Sequence, residues 1–464
     1  MTGKCLLPAL LLVAVRWPAP AVAQDAHYWT YGYGPIGQLT EGTLVGGVED
    51  VSAAYYNPGA LALIREPRFV FGLTSIELAT IEAHDAAGRN LDFNSHVFDV
   101  IPAMVAGHVG RSGGQSDHFA FAFLSRHSND WDLGYSNAQL SADSPDAAAG
   151  FGRVRERVLE YWVGGTWSHR VSDDLSLGVS PFVAYRIQRS RRSLSLEDLA
   201  AGASRTVFVA SENEYTHVRL LARLGVAWRP GRFKLGATVT TAGIAVYGEG
   251  TTVFNASIAG EASPSFLSAA TALLDAPITG GASLPLLSAS TQDGLSATYR
   301  SPWSVAAGAT WSGNRTSIHT TVEWFSAVEP YDILAPAPAP VAGSPATISL
   351  TFRGAAKSVV DFGAGFERRL RDRLTLYGGA ARNASPWRPE SETLASWDLV
   401  DVTAGVSLDR GRSRLALGVG YAWGTGQLPR VIAPPDATGQ RPATEARFSR
   451  WTFSVGASLN GEAK

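Results

Sequence analysis

"WTFSVGASL", residues 451–459, decides the architecture. Trp451, Phe453, Val455, Ala457 and Leu459 fall on one parity, and Thr452, Ser454, Gly456 and Ser458 on the other. Strict alternation is the mark of a β-strand with one apolar and one polar face. The same pattern recurs upstream. In 398–408, Val400, Val402, Ala404, Val406 and Leu408 oppose Asp401, Thr403, Gly405 and Ser407. In 414–423, Leu415, Leu417, Val419, Tyr421 and Trp423 oppose Arg414, Ala416, Gly418, Gly420 and Ala422. In 299–311, Tyr299, Trp303, Val305 and Trp311 oppose Arg300, Ser304, Gly308 and Thr310. A soluble sandwich alternates too. Here the apolar faces end in Trp or Tyr, as membrane-interface girdles do, and the opposite faces are Gly, Ser and Thr with occasional charges. That polarity suits a lumen better than a solvated surface rich in Lys and Glu.

Extending this reading predicts strands near 66–84, 95–110, 117–129, 151–170, 174–192, 205–229, 232–248, 294–312, 315–331, 347–369, 373–387, 394–409, 413–428 and 443–459. The connections alternate short and long. "RSGGQS", "RVSDD", "RPGR", "SGNR", "LRDR" and "DRGR" are tight polar turns. The long connections fall around 85–94, 130–150, 193–204, 249–293, 332–346, 388–393 and 429–442. Short periplasmic turns and longer external loops are the habit of bacterial outer-membrane barrels. The expected fold class is all-β: a transmembrane antiparallel β-barrel of about fourteen strands, closed because lipid cannot satisfy a free sheet edge.

The start of the chain fits export. Lys4, an apolar run from Cys5 to Val15 and "PAPAVAQ" read as a signal peptide over 1–23, cleaved after Ala23. The single cysteine, Cys5, leaves with it, so the mature chain is expected to hold no disulfide and no thiolate metal site. The signal carries Lys4 and Arg16 and no acid, which takes the formal charge from −2 to about −4 and gives no sign of a nucleic-acid partner. Barrel strands fill 66–464. The C-terminal strand closes on Leu459, and "NGEAK" trails it.

Between these lies an apolar segment, 24–65, that is not a strand. A barrel of about fourteen strands has a lumen too wide for its own side chains to fill. The segment is therefore expected to plug the lumen, with Asn57-Pro58-Gly59 as a bend, since proline continues neither ladder nor helix. Gly59 is read as the residue that permits the sharp turn.

Here the chain resembles the FadL-type outer-membrane transporters of long-chain fatty acids and aromatic hydrocarbons. "DVSAAYYNPGALALI" (50–64) stands where that family carries an Asn-Pro-Ala hatch motif. "SPWSVAAGATW" (301–311), "FGAGFERRLRDRLTLYGGAARNASPW" (362–387) and "GTWSHRVSDDLSLGVSPF" (165–182) support the likeness. The family Asn and Pro map to Asn57 and Pro58; the third position is Gly59, followed by Ala60. The resemblance implies a fourteen-stranded barrel with an N-terminal hatch. It also implies passage of hydrophobic molecules: capture at external loops, transfer to a lumen pocket, hatch movement and lateral exit through a wall defect. Pro102 and the glycines Gly107, Gly110, Gly113 and Gly114 are candidates for that defect. Some barrels of this type serve instead as secretion or assembly scaffolds, and that alternative stays open.

Strand parity turns Arg186, Arg219, Arg223, Lys234, Arg300 and Arg450 into the lumen, against Glu160, Glu323, Asp361 and Asp401. These charges either pair with one another or leave an arginine to receive a carboxylate head group. Tyr215, His217, Arg219 and Arg223 share one face of one strand and are the first candidates for ligand contact. In the longest loop, "SPSFLSAATALLD" (263–275) reads as a short amphipathic helix with Phe266 and Leu273 on its apolar face, a landing site for a hydrophobic ligand. "QRSRRS" (188–193) is a basic run at an external loop, either solvated or in contact with lipopolysaccharide phosphates.

Catalytic signatures are missing. "GYGPIG" (32–37) matches G-x-G-x-x-G but lacks the strand and helix a dinucleotide site needs. The one G-x-S-x-G match, "GRSGG" (110–114), stands in a tight polar turn and not at a strand-to-helix elbow, which disfavours an esterase. The nine histidines show no metal-ligand spacing, so no metal or cofactor is expected. The expected protein is a monomeric, non-enzymatic channel of the outer membrane.

Overall fold

A computed structural model of the chain describes residues 27–64, 67–72, 75–88, 91–112, 116–137, 148–198, 205–260, 278–279, 285–388, 397–429 and 443–460. The signal-peptide reading and the apolar loop residues Phe266 and Leu273 lie outside these residues.

The wall is built in chain order. β1 (Pro67–Gly72) and β2 (Ser75–Gly88) share its first position, and β3 (Leu91–Ile101) and β4 (Met104–Ser112) its second. Single long strands follow: β5 (Asp117–Asn137), β6 (Ala148–Arg170), β7 (Leu175–Asp198) and β8 (Arg205–Trp228). β9 (Phe233–Thr240) and β10 (Ile244–Ala259) make the seventh position. After the two-residue β11 (Ile278–Thr279), β12 (Leu286–Ser296) and β13 (Ser304–Ser312) make the eighth. β14 (Thr316–Phe325) is the ninth, and β15 (Val328–Leu334), β16 (Ala339–Pro340), β17 (Thr347–Ile348) and β18 (Phe352–Ala356) belong to the excursion after it. β19 (Val359–Arg371), β20 (Leu374–Asn383), β21 (Asp398–Arg410), β22 (Ser413–Pro429) and β23 (Ala443–Asn460) complete fourteen positions. β23 pairs antiparallel with β1, through Phe71↔Ala457, and with β2, through Leu78↔Trp451, so the sheet closes on itself. The protein is a closed fourteen-strand antiparallel barrel.

Among the described residues, five of the polar motifs stand at tight turns; Arg170–Leu175, Trp228–Phe233 and Arg410–Ser413 are examples, and "RSGGQS" lies partly outside these residues. At the other end the strands run further than expected. β7 reaches Asp198 and β10 reaches Ala259, because beyond the apolar band the alternation inverts: Leu194, Phe254, Ala256 and Ile258 are buried inside and the outward residues are polar, so the stretch does not read as membrane strand. The outward residues form the apolar belt: Val163, Leu177, Val183, Leu224, Leu417 and Phe453 are all exposed. Aromatic residues edge it. Trp167, Trp228 and Trp311 lie near the short turns, and Trp303 meets Trp324 edge-on at 4.6 Å near the opposite rim.

Two expectations fail together at 297–303. Tyr299 is buried and Arg300 exposed, the reverse of the predicted faces. The predicted strand 294–312 is two strands, β12 and β13, and the residues between them follow no pleat. Pro302 is the cause legible in the sequence, since it has no N–H to give a ladder.

Residues 27–64 run inside the barrel. They contain a one-turn helix α1 (Gly34–Gly37), a one-turn helix α2 (Ala53–Tyr56) and a 3-10 helix over Pro58–Leu63. Tyr33, Leu39, Leu44, Tyr56 and Leu61 join wall residues Val70, Ala122, Trp162 and Phe182 in one apolar core. Asn57 is extended (φ −159°, ψ 97°) and separates α2 from the 3-10 helix. Gly59 does not act through its backbone freedom. A Cβ there would lie 2.7 Å from the Gly225 carbonyl oxygen, so the glycine serves close approach to the wall.

Candidate functional site

The lower lumen is where the inner segment meets the wall, and glycine sets the distance. Inward-facing glycines are register partners on adjacent strands: Gly178↔Gly225, Gly236↔Gly308, Gly365↔Gly379 and Gly405↔Gly418. A Cβ at Gly178 would overlap Pro58, one at Gly225 would overlap Asn57, and one at Gly236 would overlap the Val45 carbonyl. Asn57 then locks the seat. Its Nδ2 donates to the carbonyls of Val45 and Val226, both at 2.9 Å, and its Oδ1 accepts from Gly59 N. The Gly59 carbonyl accepts from Ser168 Oγ (2.9 Å) and Ser176 Oγ (2.6 Å) of β6 and β7. The Ala62 carbonyl accepts two guanidinium N–H groups of Arg170. Nearly every polar contact here is fixed, as a buried backbone requires.

Above this seat lies a small chamber of about 40 Å³. Tyr28 and Tyr55 of the inner segment, with Trp162, Leu221, Tyr299 and Phe325 of the wall, give it an apolar and aromatic lining. Arg126, Arg219 and Arg223 line it against only two carboxylates, Glu160 and Glu323. Glu160 accepts from Arg186 Nη1 (3.0 Å), Arg219 Nη2 (2.6 Å) and Trp162 Nε1 (2.6 Å). Glu323 accepts from Trp29 Nε1 (2.8 Å) and Ser304 Oγ (2.7 Å) and lies 3.6 Å from Arg223. The guanidinium carbons of Arg186 and Arg219 stand 4.1 and 4.5 Å from the centre of the Tyr299 ring, and that of Arg223 stands 4.7 Å from Tyr55. Stacking of this kind holds a cation without using its N–H groups.

The four strand residues singled out from the sequence are all on β8 and all buried. Arg219 and Arg223 face the chamber. Tyr215 donates to Gln188 Oε1 at 2.8 Å, and His217 meets Tyr299 edge-on at 6.1 Å. Parity correctly turned Arg186, Arg450, Glu160, Glu323, Asp361 and Asp401 inward; Lys234 is half-buried and pairs with Glu49. Of the two outcomes foreseen for the arginines, the structure shows mutual pairing. Arg219 is paired with Glu160, yet its Nε and Nη1, with Arg223 Nε and Arg126 Nη1, are buried without a hydrogen-bond partner among the described residues. Arg126 was missed although it shares the parity of buried Ala120, Ala122 and Leu124; the register shift between Ser125 and His127 is what brings His127, on the opposite parity, to the same chamber.

Two gaps interrupt the wall beside the lumen. β3 and β5 are joined at Asn94↔Gly134, and β4 and β5 at Met104↔Leu124, with no ladder pair joining 95–101 to 127–133. Pro102 stands at the break, as expected, and its carbonyl accepts from Ser125 Oγ at 2.6 Å. The glycine part of that expectation is corrected at Gly107, which pairs regularly with Phe69 and Phe121; Gly113 and Gly114 lie outside the described residues. A small cavity of about 40 Å³ opens here, lined by His27, Asp99, Trp131, Trp397, Phe448 and Arg450. The second gap lies between the pairs Thr240↔Ser304 and Glu249↔Ser296. Across it stand two hydrogen bonds, Ala297 N to the Gly248 carbonyl (3.2 Å) and Gly243 N to Ser301 Oγ (3.0 Å). Ser301, Pro302 and Thr241 on its edges also line the arginine chamber.

No protein-family model matches this sequence, and no curated protein matches it. Solved structures do resemble it. A FadL homologue of Pseudomonas aeruginosa superposes with a TM-score of 0.54 at 14% identity, over 95% of this chain and 99% of that one. The toluene transporter TodX of P. putida gives 0.59 at 16% identity, over 93% and 99%. The toluene transporter TbuX of Ralstonia pickettii gives 0.51 at 13% identity, over 93% and 99%. With the barrel closed at fourteen strands and the N-terminal segment seated inside it, the chain has the fold of the FadL-type barrels.

Proposed function

We propose that this protein is an outer-membrane channel for small hydrophobic molecules that carry an anionic group. It acts as a monomer, without catalysis, after export directed by residues 1–23. Residues 24–65 are its hatch, and the arginine chamber is its ligand site. The observation that carries this reading is the chamber itself: an aromatic lining with buried guanidinium N–H groups that have no hydrogen-bond partner among the described residues. A buried unpaired donor is costly, and a carboxylate is the group that best relieves several at once. Burying the rest of the ligand gains about 0.8 kcal/mol per methylene, so few polar contacts are needed. The toluene transporters of like fold support the apolar half of the proposal. On this route the ligand is captured at the external loops, where Phe266 and Leu273 are the proposed landing residues. It then rests in the chamber and leaves through a wall gap.

The test is a binding titration of the purified barrel with an aliphatic carboxylate and with its uncharged alcohol. Wild type is expected to prefer the carboxylate, and Arg219→Ala to weaken it by about 1.5–3 kcal/mol with no change for the alcohol. A loop variant with Phe266 and Leu273 changed to Ser is expected to slow capture of both. Equal isotherms for all three proteins would reject this pocket. Binding of neither ligand would turn the balance to an assembly or secretion scaffold.

A further inference from the structure

The outer face of the barrel carries a second polar construction, far from the lumen. On β6, Arg153, Arg155 and Arg157 point outward with side chains 60%, 46% and 55% exposed; on β7, Arg189 and Arg191 are 49% and 55% exposed. The register sets arginine directly against arginine: Arg157↔Arg189 and Arg155↔Arg191. Like charges directly opposite across a ladder are destabilising. Carboxylates flank them on the neighbouring strands. Asp130 lies 2.9 Å from Arg155, Asp132 pairs with Arg153, Glu212 lies 2.7 Å from Arg191, and Glu214 pairs with Arg189. Arg157 lies 3.9 Å from Asp130, the carboxylate already held by Arg155. The acids sit at the two sides of the patch, so its centre is positive and its arginine forks stay half-exposed.

The height of this patch is informative. On the same outward face, Tyr161 and Tyr185 are register partners, and Tyr161 stacks on Phe123 at 5.7 Å. These rings belong to the rim of the apolar belt on the side away from the short turns. Arg157 and Arg189 are four residues further along their strands. That is about 13 Å along each strand and on the order of 10 Å along the membrane normal at barrel tilt. The arginines therefore stand in the headgroup layer, beyond the hydrocarbon.

We propose that this arginine patch on β6 and β7 binds the phosphate groups of lipopolysaccharide in the outer leaflet. The proposal rests on the outer-membrane location given above. Guanidinium forks match phosphate oxygens two at a time, and an anion bridging Arg157 and Arg189 removes the repulsion between them. The partner's acyl chains then lie along the adjoining belt of Val163, Val183 and Leu220, which is exposed. The patch is one-sided, so it orients a single lipid on this part of the wall.

The experiment uses the full-length protein purified from outer membranes, after fractionation and heat-modifiable gel migration have established insertion. Native mass spectrometry then titrates it with bisphosphorylated lipid A, with dephosphorylated lipid A, and with bisphosphorylated lipid A in the presence of inorganic phosphate. Wild type is expected to bind the bisphosphorylated lipid at least about tenfold more tightly than the dephosphorylated one, the worth of a charge-assisted contact. Arg155→Gln/Arg157→Gln/Arg189→Gln is expected to remove that preference. Asp130→Asn/Glu212→Gln, which frees arginines without deleting them, is expected to strengthen it several-fold and keeps the test open should the triple variant fail to insert. Equal binding of both lipids, or a triple variant with wild-type preference, would overturn the proposal and leave a self-neutralised charge ladder. Displacement by inorganic phosphate at equal concentration would overturn the lipid as occupant. Failure of fractionation would instead reject the location on which the proposal rests.

Discussion

The floor of the lumen and the chamber above it are built from opposite materials. At the floor, wall glycines bring backbone against backbone; Ser168, Ser176 and Arg170 donate to main-chain carbonyls of the inner segment, and Asn57 of that segment donates to the carbonyls of Val45 and of Val226 in the wall. In the chamber, side chains meet side chains, arginines stack on tyrosines, and several N–H groups have no hydrogen-bond partner among the described residues. A surface with nearly every valence used and no room for a methyl group is a seat. The contrast teaches where this molecule can yield: the inner segment is held by its middle, from Leu39 to Leu63, while the proposed ligand site lies beside Tyr28 and Tyr55, against the wall.

The largest expected effect comes from removing the floor. Deletion of residues 24–60 is expected to raise single-channel conductance in a planar bilayer by a large factor while the barrel still assembles. Unchanged conductance would mean that the segment does not block the lumen. A smaller intervention is Gly225→Val, which places atoms where Asn57 and Pro58 now lie. It is expected to unseat the hatch and raise conductance toward the level of the deletion. Gly110→Val, where a Cβ meets nothing within 4 Å, is expected to behave as wild type. If both glycine variants conduct alike, the tight-seat half of the comparison is wrong.

Asn57→Ala comes next. It leaves the carbonyls of Val45 and Val226 without their donor in a buried place and is expected to cost about 3 kcal/mol of hatch seating. Faster protease cleavage within the hatch of the otherwise intact barrel would report it. Asn57→Asp is expected to be nearly as damaging, because it keeps the acceptor for Gly59 but loses the donor.

The smallest effect expected is one of pH. His27, at the start of the hatch, is buried and its Nε2 lies 2.8 Å from the Trp397 carbonyl. Burial lowers its pKa from 6.5 to about 3, so it stays neutral in the folded protein. The unfolded chain binds this proton more readily. The contribution to stability is therefore complete above pH about 6.5 and is lost as the pH falls toward 3. The N-terminal turn of the hatch is expected to loosen across that window, measured as mobility of a spin label at position 28. His27→Gln should flatten the dependence, and an unchanged slope would assign it to another group.

Much of this was legible in the order of residues. Alternation in 398–408, 414–423 and 451–459 placed those outward faces correctly, and five of the polar turns fell in place among the described residues. An apolar, non-strand segment with Asn-Pro-Gly pointed to the lumen. Pro302 was equally visible but was read through as strand, which turned Tyr299 and Arg300 to the wrong sides. These features are local. A pleat has period two, a turn is a few residues long, and a proline acts on its own neighbours.

Tertiary structure alone decided the rest. His127 faces the chamber because a bulge between Ser125 and His127 shifts the register, and no residue type announces a bulge. Glu160 of β6 takes both Arg186 and Arg219 from two other strands, a choice set by how fourteen strands stagger on closing. Glycines scattered over hundreds of residues become one seat only when the wall curves round the hatch. Parity tells which face a side chain takes. Which side chain it meets there depends on the shear and curvature of the closed sheet, and these belong to the whole barrel and to no stretch of it.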